Sequence, residues 1–273
     1  TINTAITFTQ AMTLDASGRL LVGTTSASGS NLLQVNSDAS INGLTVGKGG
    51  GAVSTNTAVG YQAAYSNTTG YSSTAVGYQS LYSQTTGYEN TAVGTSALYT
   101  NSTGIDNAAF GNSALALNTT GSYNTAHGFR ALFNNTTASN NTAVGYQSLY
   151  ANTTGAYNTA VGQASLSGNT TGNENTAVGQ GALYRTTTGN YNTGTGAGAL
   201  NLNTTGSNNT AIGDSALLNN TTASNNTAVG YQAGYTASTA TYNAYVGTQA
   251  GYNISGGAGY NVAIGALACL LYT

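Results

Sequence analysis

Asn141-Thr142-Ala143-Val144-Gly145 is followed by Tyr146-Gln147-Ser148-Leu149-Tyr150-Ala151-Asn152-Thr153-Thr154-Gly155-Ala156-Tyr157, and then the same pentapeptide begins again at Asn158. The step is 17 residues. The pentapeptide or a close variant ends at Gly60, Gly77, Gly94, Gly111 and Gly128, runs through Gly145, and continues at Gly162, Gly179, Gly196, Gly213, Gly230 and Gly247 with the same spacing. It closes at Gly265 after one step of 18. Self-similarity at a fixed period marks a repeat architecture, in which each unit covers the face its neighbour cannot bury alone. Residues 56–273 therefore divide into thirteen coils.

Each position of the coil keeps its chemistry. Counted from the Asn, the fourth position is Val59, Val76, Val93 and onward, broken by His127 and Thr195; the ninth is mostly leucine, from Leu81 to Leu217. Gly at the fifth position tolerates positive φ, so the coil reads as a short strand, a tight bend and a second short strand. The Asn-Thr-Thr-Gly stretch makes the return turn. With the fourth and ninth ladders inside, Leu149→Asp prevents assembly while Ser148→Asp is tolerated. The Ala found at the third position in eleven of thirteen coils then faces outward, where it lets chains approach closely. First-position asparagines, among them Asn90, Asn107 and Asn124, are placed to stack as an amide ladder. Thirteen coils at a strand spacing of about 4.8 Å make a rod roughly 60 Å long.

The apolar residues do not recur at three-to-four spacing, and Gly, Asn and Thr dominate each unit, which excludes a helical repeat. The predicted class is all-β, a parallel β-solenoid or β-roll. One large apolar pair per coil is a thin core, so the chain is expected to associate with copies of itself. Residues 1–55 lack the period but alternate apolar and polar residues, with turn signals at Ala16-Ser17-Gly18 and Ser28-Gly29-Ser30. They read as a β cap or junction, with the glycine-rich residues 47–51 as a hinge into the first coil.

Composition narrows the function. The chain has 4 Lys and Arg, 6 Asp and Glu, 1 His and 1 Cys in 273 residues, for a net charge of −2. That offers no basic footprint for nucleic acid, and the acid, base and nucleophile of a catalytic triad have too few residues to draw on. Lys48 among four glycines lacks the spacing of a phosphate loop. The longest apolar run, residues 266–272, is too short to span a bilayer. No enzyme activity, cofactor, metal, nucleic acid or membrane insertion is expected. Thr1 in place of Met suggests a processed product or a fragment.

Two resemblances attach to these residues. The pentapeptide, above all Asn261-Val262-Ala263-Ile264-Gly265, is similar to the repeat in the head of YadA-like trimeric autotransporter adhesins, which implies a parallel β-roll assembled as a homotrimer. The stretch from Ala11-Met12-Thr13-Leu14-Asp15 to Gly23-Thr24-Thr25, with Leu33-Gln34-Val35-Asn36 and residues 41–47, resembles segments preceding such repeats in phage tail fibres. Together they imply a fibre or adhesin segment at the virion or cell surface, with a host glycan or protein receptor as partner.

Several residues invite specific roles. His127 replaces an apolar residue of the fourth ladder; it reads either as a neutral interior histidine bonded to backbone or, in a trimer, as an axial site for an anion, water or metal. Cys269 falls in the leucine ladder and reads as a small buried apolar residue. Tyr61, Tyr78, Tyr146 and Tyr231 at the sixth position, and Tyr65, Tyr82, Tyr99 and others at the tenth, suit stacking, subunit contact or sugar rings. Eight return turns carry Asn-x-Thr, from Asn67 to Asn220, as turn residues or as glycosylation sites in a host that glycosylates. In-register pairs such as Thr68-Thr69 and Thr85-Thr86 raise the alternative of an ice-binding solenoid, although only one hydroxyl of each pair can point to a given face.

Overall fold

A computed structural model describes residues 12–14, 20–22, 33–35, 39–41, 44–254 and 259–269. The two turn signals of the N-terminal segment, and the end of the apolar run at residues 270–272, lie outside them. Three short strands, β1 (Met12–Leu14), β2 (Leu20–Val22) and β3 (Leu33–Val35), form a sheet of their own. β4 (Ala39–Ile41) and β5 (Leu44–Gly47) form an antiparallel pair, and β5 adds antiparallel to β6 (Thr57–Val59), Val46 opposite Val59. From β6 onward every strand is parallel to the last, ending at β18 (Val262–Ile264). The chain is a parallel β-solenoid of about twelve turns with no α-helix among the described residues.

The pairing is in register: Thr142 lies opposite Thr159, Ala143 opposite Ala160 and Val144 opposite Val161. Each coil contributes one three-residue strand, not the two that the sequence suggests. After the strand the backbone turns through left-handed residues, at φ 51° for Gln147, 53° for Leu149 and 59° for Tyr157. Such a conformation costs a non-glycine residue roughly 1–2 kcal/mol, and hydrogen bonding between coils offsets it. Gln147 N–H donates to Phe129 O at 2.9 Å, Leu149 N–H to Ser165 O at 2.9 Å and Thr153 N–H to Thr170 O at 2.9 Å, so the turns are laddered as the strand is. The fifth position must be glycine: Gly145 has φ 134°, and a Cβ there would meet Gly162 O at 2.5 Å.

The core register differs from the expectation by one residue. Ala143, Ser148 and Leu149 are fully buried, whereas the fourth position is outward, with Val178 38 % and Ile212 43 % exposed. The reason is volume. In a three-residue strand the middle side chain points opposite to its neighbours, and the leucine ladder reaches across the narrow coil to meet it. At Gly194, a third position, an added Cβ would already lie 3.2 Å from Leu183 Cγ, so only a methyl group fits and Val must face out. Ser148 is interior too: its Oγ donates to Ala160 O at 2.8 Å and pairs with Ser165 Oγ at 3.2 Å. The expected tolerance of Ser148→Asp is overturned, because a carboxylate there is buried beside a full hydrogen-bond set.

The rest of the interior is amide. Asn124 Nδ2 donates to Asn107 Oδ1 of the preceding coil at 3.1 Å and to Ala138 O of its own coil at 2.9 Å, while its Oδ1 accepts the Asn141 N–H at 3.0 Å. A second amide ladder runs through the twelfth position, where Asn135 Nδ2 donates to Asn118 Oδ1 at 2.9 Å and Asn152 Nδ2 to Asn135 Oδ1 at 2.9 Å. Where Ser73 replaces the first-position Asn, the longer Gln84 at the twelfth position reaches across. Its Nε2 donates to Ser73 Oγ at 3.2 Å and its Oε1 accepts from Asn90 Nδ2 at 3.0 Å. Residues 47–51, expected as a hinge, lie against the first coil: Gly50 N–H donates to Ala64 O at 2.9 Å. A Cβ on Gly49 would stand 2.8 Å from that of Ala64.

Candidate functional site

With the interior filled by Ala, Leu and Asn, function falls to the outer faces. The first is the strand face, Thr at the second position in all but three coils (Ala108, Ala244 and Val262) and Val, Ile, Phe, His or Thr at the fourth. It carries no Lys, Arg, Asp or Glu from Thr57 to Ile264. His127 belongs here and is exposed, its ring tilted against Phe110 with centroids 5.6 Å apart. The reading of an interior, backbone-bonded histidine is therefore corrected: the one-residue shift of register that put Ala inside put His127 outside. Among the described residues no group of three or more His, Cys, Asp or Glu is placed to hold a metal.

Aromatic rows make the second face. At the sixth position Tyr61 stacks on Tyr78 with centroids 5.5 Å apart, and Tyr146 on Phe129 at 5.4 Å; each of Tyr61, Tyr78, Tyr146 and Tyr231 is about half exposed. At the tenth, Tyr65, Tyr82 and Tyr99 form a continuous stack at 5.4 and 5.1 Å, Phe133 covers Tyr150 and Tyr235 covers Tyr252. Sequence reasoning overlooked the stacks at the end of the coil, where Tyr71 stacks on Tyr88 at the sixteenth position at 4.7 Å and Tyr242, at the seventeenth, stacks across the one 18-residue step on Tyr260 at 5.1 Å. Aligning every tyrosine coil by coil, with the one 18-residue step allowed for, exposes them. Desolvation first, and the neighbouring Tyr71 second, hold the Tyr88 phenol above the ordinary tyrosine value.

The return turn is the third face, and its side chains are more committed than they look. Asn152 is fully buried in the second amide ladder, as are Asn101, Asn118, Asn135, Asn169, Asn203 and Asn220. These asparagines are interior side chains and not accessible glycan acceptors. At the thirteenth position the hydroxyls are taken: Thr68 Oγ1 donates to Thr85 O at 2.8 Å and Thr153 Oγ1 to Thr170 O at 2.9 Å. The fourteenth-position threonines, such as Thr69 and Thr154, stand exposed. Cys269, expected to be buried, is exposed, because no described coil stacks on its own.

One interior position breaks the repeat. Tyr245 takes the place of the third-position Ala and is fully buried. Gly234 and Gly251 take the place of leucine beside it, and a Cβ on Gly234 would lie 2.5 Å from the ring. Burial pushes the Tyr245 phenol up to about 12, with Cys269 a lesser cause, and its hydroxyl has no hydrogen-bond partner.

Compared with known proteins, the chain matches no family model, no curated protein and no solved structure.

Proposed function

We infer that the chain is a rigid shaft segment of an extracellular or virion fibre, an adhesin or tail fibre, working as a homotrimer that carries a receptor-contacting part to a host surface. The observation that supports this reading most is the unbroken sheet running from β18 back to β4 in one order. Its two interior amide ladders repeat much the same side-chain connection from coil to coil, with breaks at Ser73, Thr186 and Ala237. Such a stack resists bending and extends with coil number, which is what a spacer requires.

The association face is the strand face. The earlier motive for association, an outward Ala, is gone because Ala is inside. The uncharged row that includes Val178, Ile212 and Val246 replaces it; it is interrupted only by His127 and Thr195, and a mostly apolar exposed row of this kind marks a contact surface. The sixth-position tyrosines serve stacking between coils in this reading, since gaps such as Thr95, Asn112 and Gln163 interrupt any strip that a sugar chain would follow. The test is solution mass by light scattering together with rod length by electron microscopy. A mass three times 27.2 kDa on a rod supports the reading, and a stably folded monomer at all concentrations refutes the trimer.

A further inference from the structure

The tenth-position stack has one break that makes a cavity. Tyr184 sits between Ser167 and Asn201 instead of between rings, so no ring of the tenth-position row stacks on either of its faces. Two grooves open beside it. One, of about 310 Å³, is lined by Gln163, Gln180, Gly181, Tyr184, Arg185 and Asn201; the other, of about 470 Å³, lies between Ser167, Gly168, Tyr184, Arg185 and Thr204. These volumes fall at the small end of ligand pockets. The smaller groove exists because Gly181 stands where Gln62, Gln79 and Gln147 stand in other coils, and because Asn201 folds back to donate to Gly181 O at 2.8 Å.

The groove is also where a cation is left over. Arg130 lies over Phe129 and Phe133, 5.2 and 5.3 Å from their centroids. Arg185 is exposed and has neither a ring nor a carboxylate against it among the described residues. No hydrogen bond within the described residues occupies the side-chain amides of Gln163 and Gln180.

We propose that the groove between Gln163, Gln180, Tyr184, Arg185 and Asn201 binds one carboxylate-bearing sugar unit, a uronic or sialic acid. The C–H face of the pyranose packs on the face of Tyr184 turned towards Asn201. The Arg185 guanidinium takes the carboxylate through paired N–H donors, a geometry a planar fork is built for. Amides both donate and accept, as hydroxyl groups do, so Gln163 and Gln180 suit the ring hydroxyls. A nucleic acid is the poorer fit, because a single cation in a chain of net charge −2 supplies no run of phosphate contacts. The site goes beyond the shaft reading and is independent of it: it is a single place on the rod and needs no associated state. In a trimer three copies would gain by multivalency what one weak groove lacks.

The test is an NMR titration of the whole chain with the methyl glycosides of N-acetylneuraminic acid and glucuronic acid, and with methyl glucoside as the neutral control. Saturable binding of at least one acidic sugar, at least tenfold weaker for the glucoside, is expected. Arg185→Gln should weaken it tenfold or more. Asn201→Tyr restores the aromatic residue usual at that position, so it keeps the fold while covering the ring, and it should abolish binding. Ser167→Tyr covers the opposite face and should leave binding intact. Absence of saturable binding by both acidic sugars, equal binding of the glucoside, or unchanged binding in the folded Arg185→Gln or Asn201→Tyr protein overturns the proposal. So does loss of binding in folded Ser167→Tyr.

Discussion

The ring of Tyr245 occupies the space that a side chain at Gly251 would need: a Cβ on Gly251 would lie 2.6 Å from the ring's Cε1. The two positions are one volume shared differently. Most coils divide it as Ala plus Leu, this one as Tyr plus Gly. Gly251→Leu alone should overpack the coil and cost about 1–3 kcal/mol or more, and Tyr245→Ala alone should leave a cavity costing about 3–5 kcal/mol. Changing Tyr245 to Ala with Gly234 and Gly251 both to Leu rebuilds the usual coil and should recover most of the loss. Denaturant unfolding of the set reads the coupling; additive losses would mean the sites do not share space.

The second amide ladder is directional, each Asn donating to the preceding coil and accepting from the next. Thr186 follows Asn169 and Ala237 follows Asn220, and in both places the acceptor, Asn169 Oδ1 or Asn220 Oδ1, is buried without a partner. Thr186→Asn and Ala237→Asn should each stabilise the fold by about 1 kcal/mol by completing the ladder. Asn152→Ala, which strips the donor from Asn135 Oδ1, should cost about 1–3 kcal/mol. A neutral or destabilising Thr186→Asn in equilibrium unfolding would count against the ladder.

Adjacent residues separate folding from association. Ala143→Asp buries an unpaired carboxylate and should abolish the β signal in circular dichroism. Val144→Asp places the same charge on the strand face, so the coil should form while the mass in light scattering falls to that of one chain. If Val144→Asp unfolds the protein and Ala143→Asp does not, the register is wrong.

Alkaline stability should reveal Tyr245. Burial raises its pKa to about 12 in the folded state from the ordinary tyrosine value of 10.0, so the folded state holds the proton that the unfolded state gives up. The stabilisation is complete below about pH 10 and is lost as pH rises towards 12. Phenolate absorbance should rise in two phases, the later one coinciding with loss of structure. Tyr245→Phe should remove the late phase and, by eliminating an unpaired buried hydroxyl, should not destabilise at neutral pH.

The sequons offer a simple check on burial. Asn152 donates both amide hydrogens, to Asn135 Oδ1 and Gly155 O, each at 2.9 Å, and a glycan on its nitrogen would replace one of them in a closed interior. Peptide mapping of folded protein secreted from a glycosylating host should find Asn135 and Asn152 unmodified. Glycosylated, folded material would place these side chains outside the coil.

The 17-residue period was sufficient by itself for the solenoid, its parallel in-register pairing, the leucine ladder and the first amide ladder, because these depend only on identical residues meeting at a fixed spacing. Which of two adjacent strand residues faces inward depends on how much room the opposite wall leaves. The period is blind to that, so the fourth-position Val looked like core until the reach of Leu149 and Leu183 across the coil reserved the interior for Ala143 and Ala177. The same limit hid the burial of Asn152 and Ser148, the exposure of His127 and the exchange of Leu for Gly around Tyr245. The candidate groove at Tyr184 was legible only as a gap in the tyrosine row. Only the tertiary structure, by laying Gly181 beside Asn201 three-dimensionally across successive coils, turned that gap into a cavity with Arg185 at its edge.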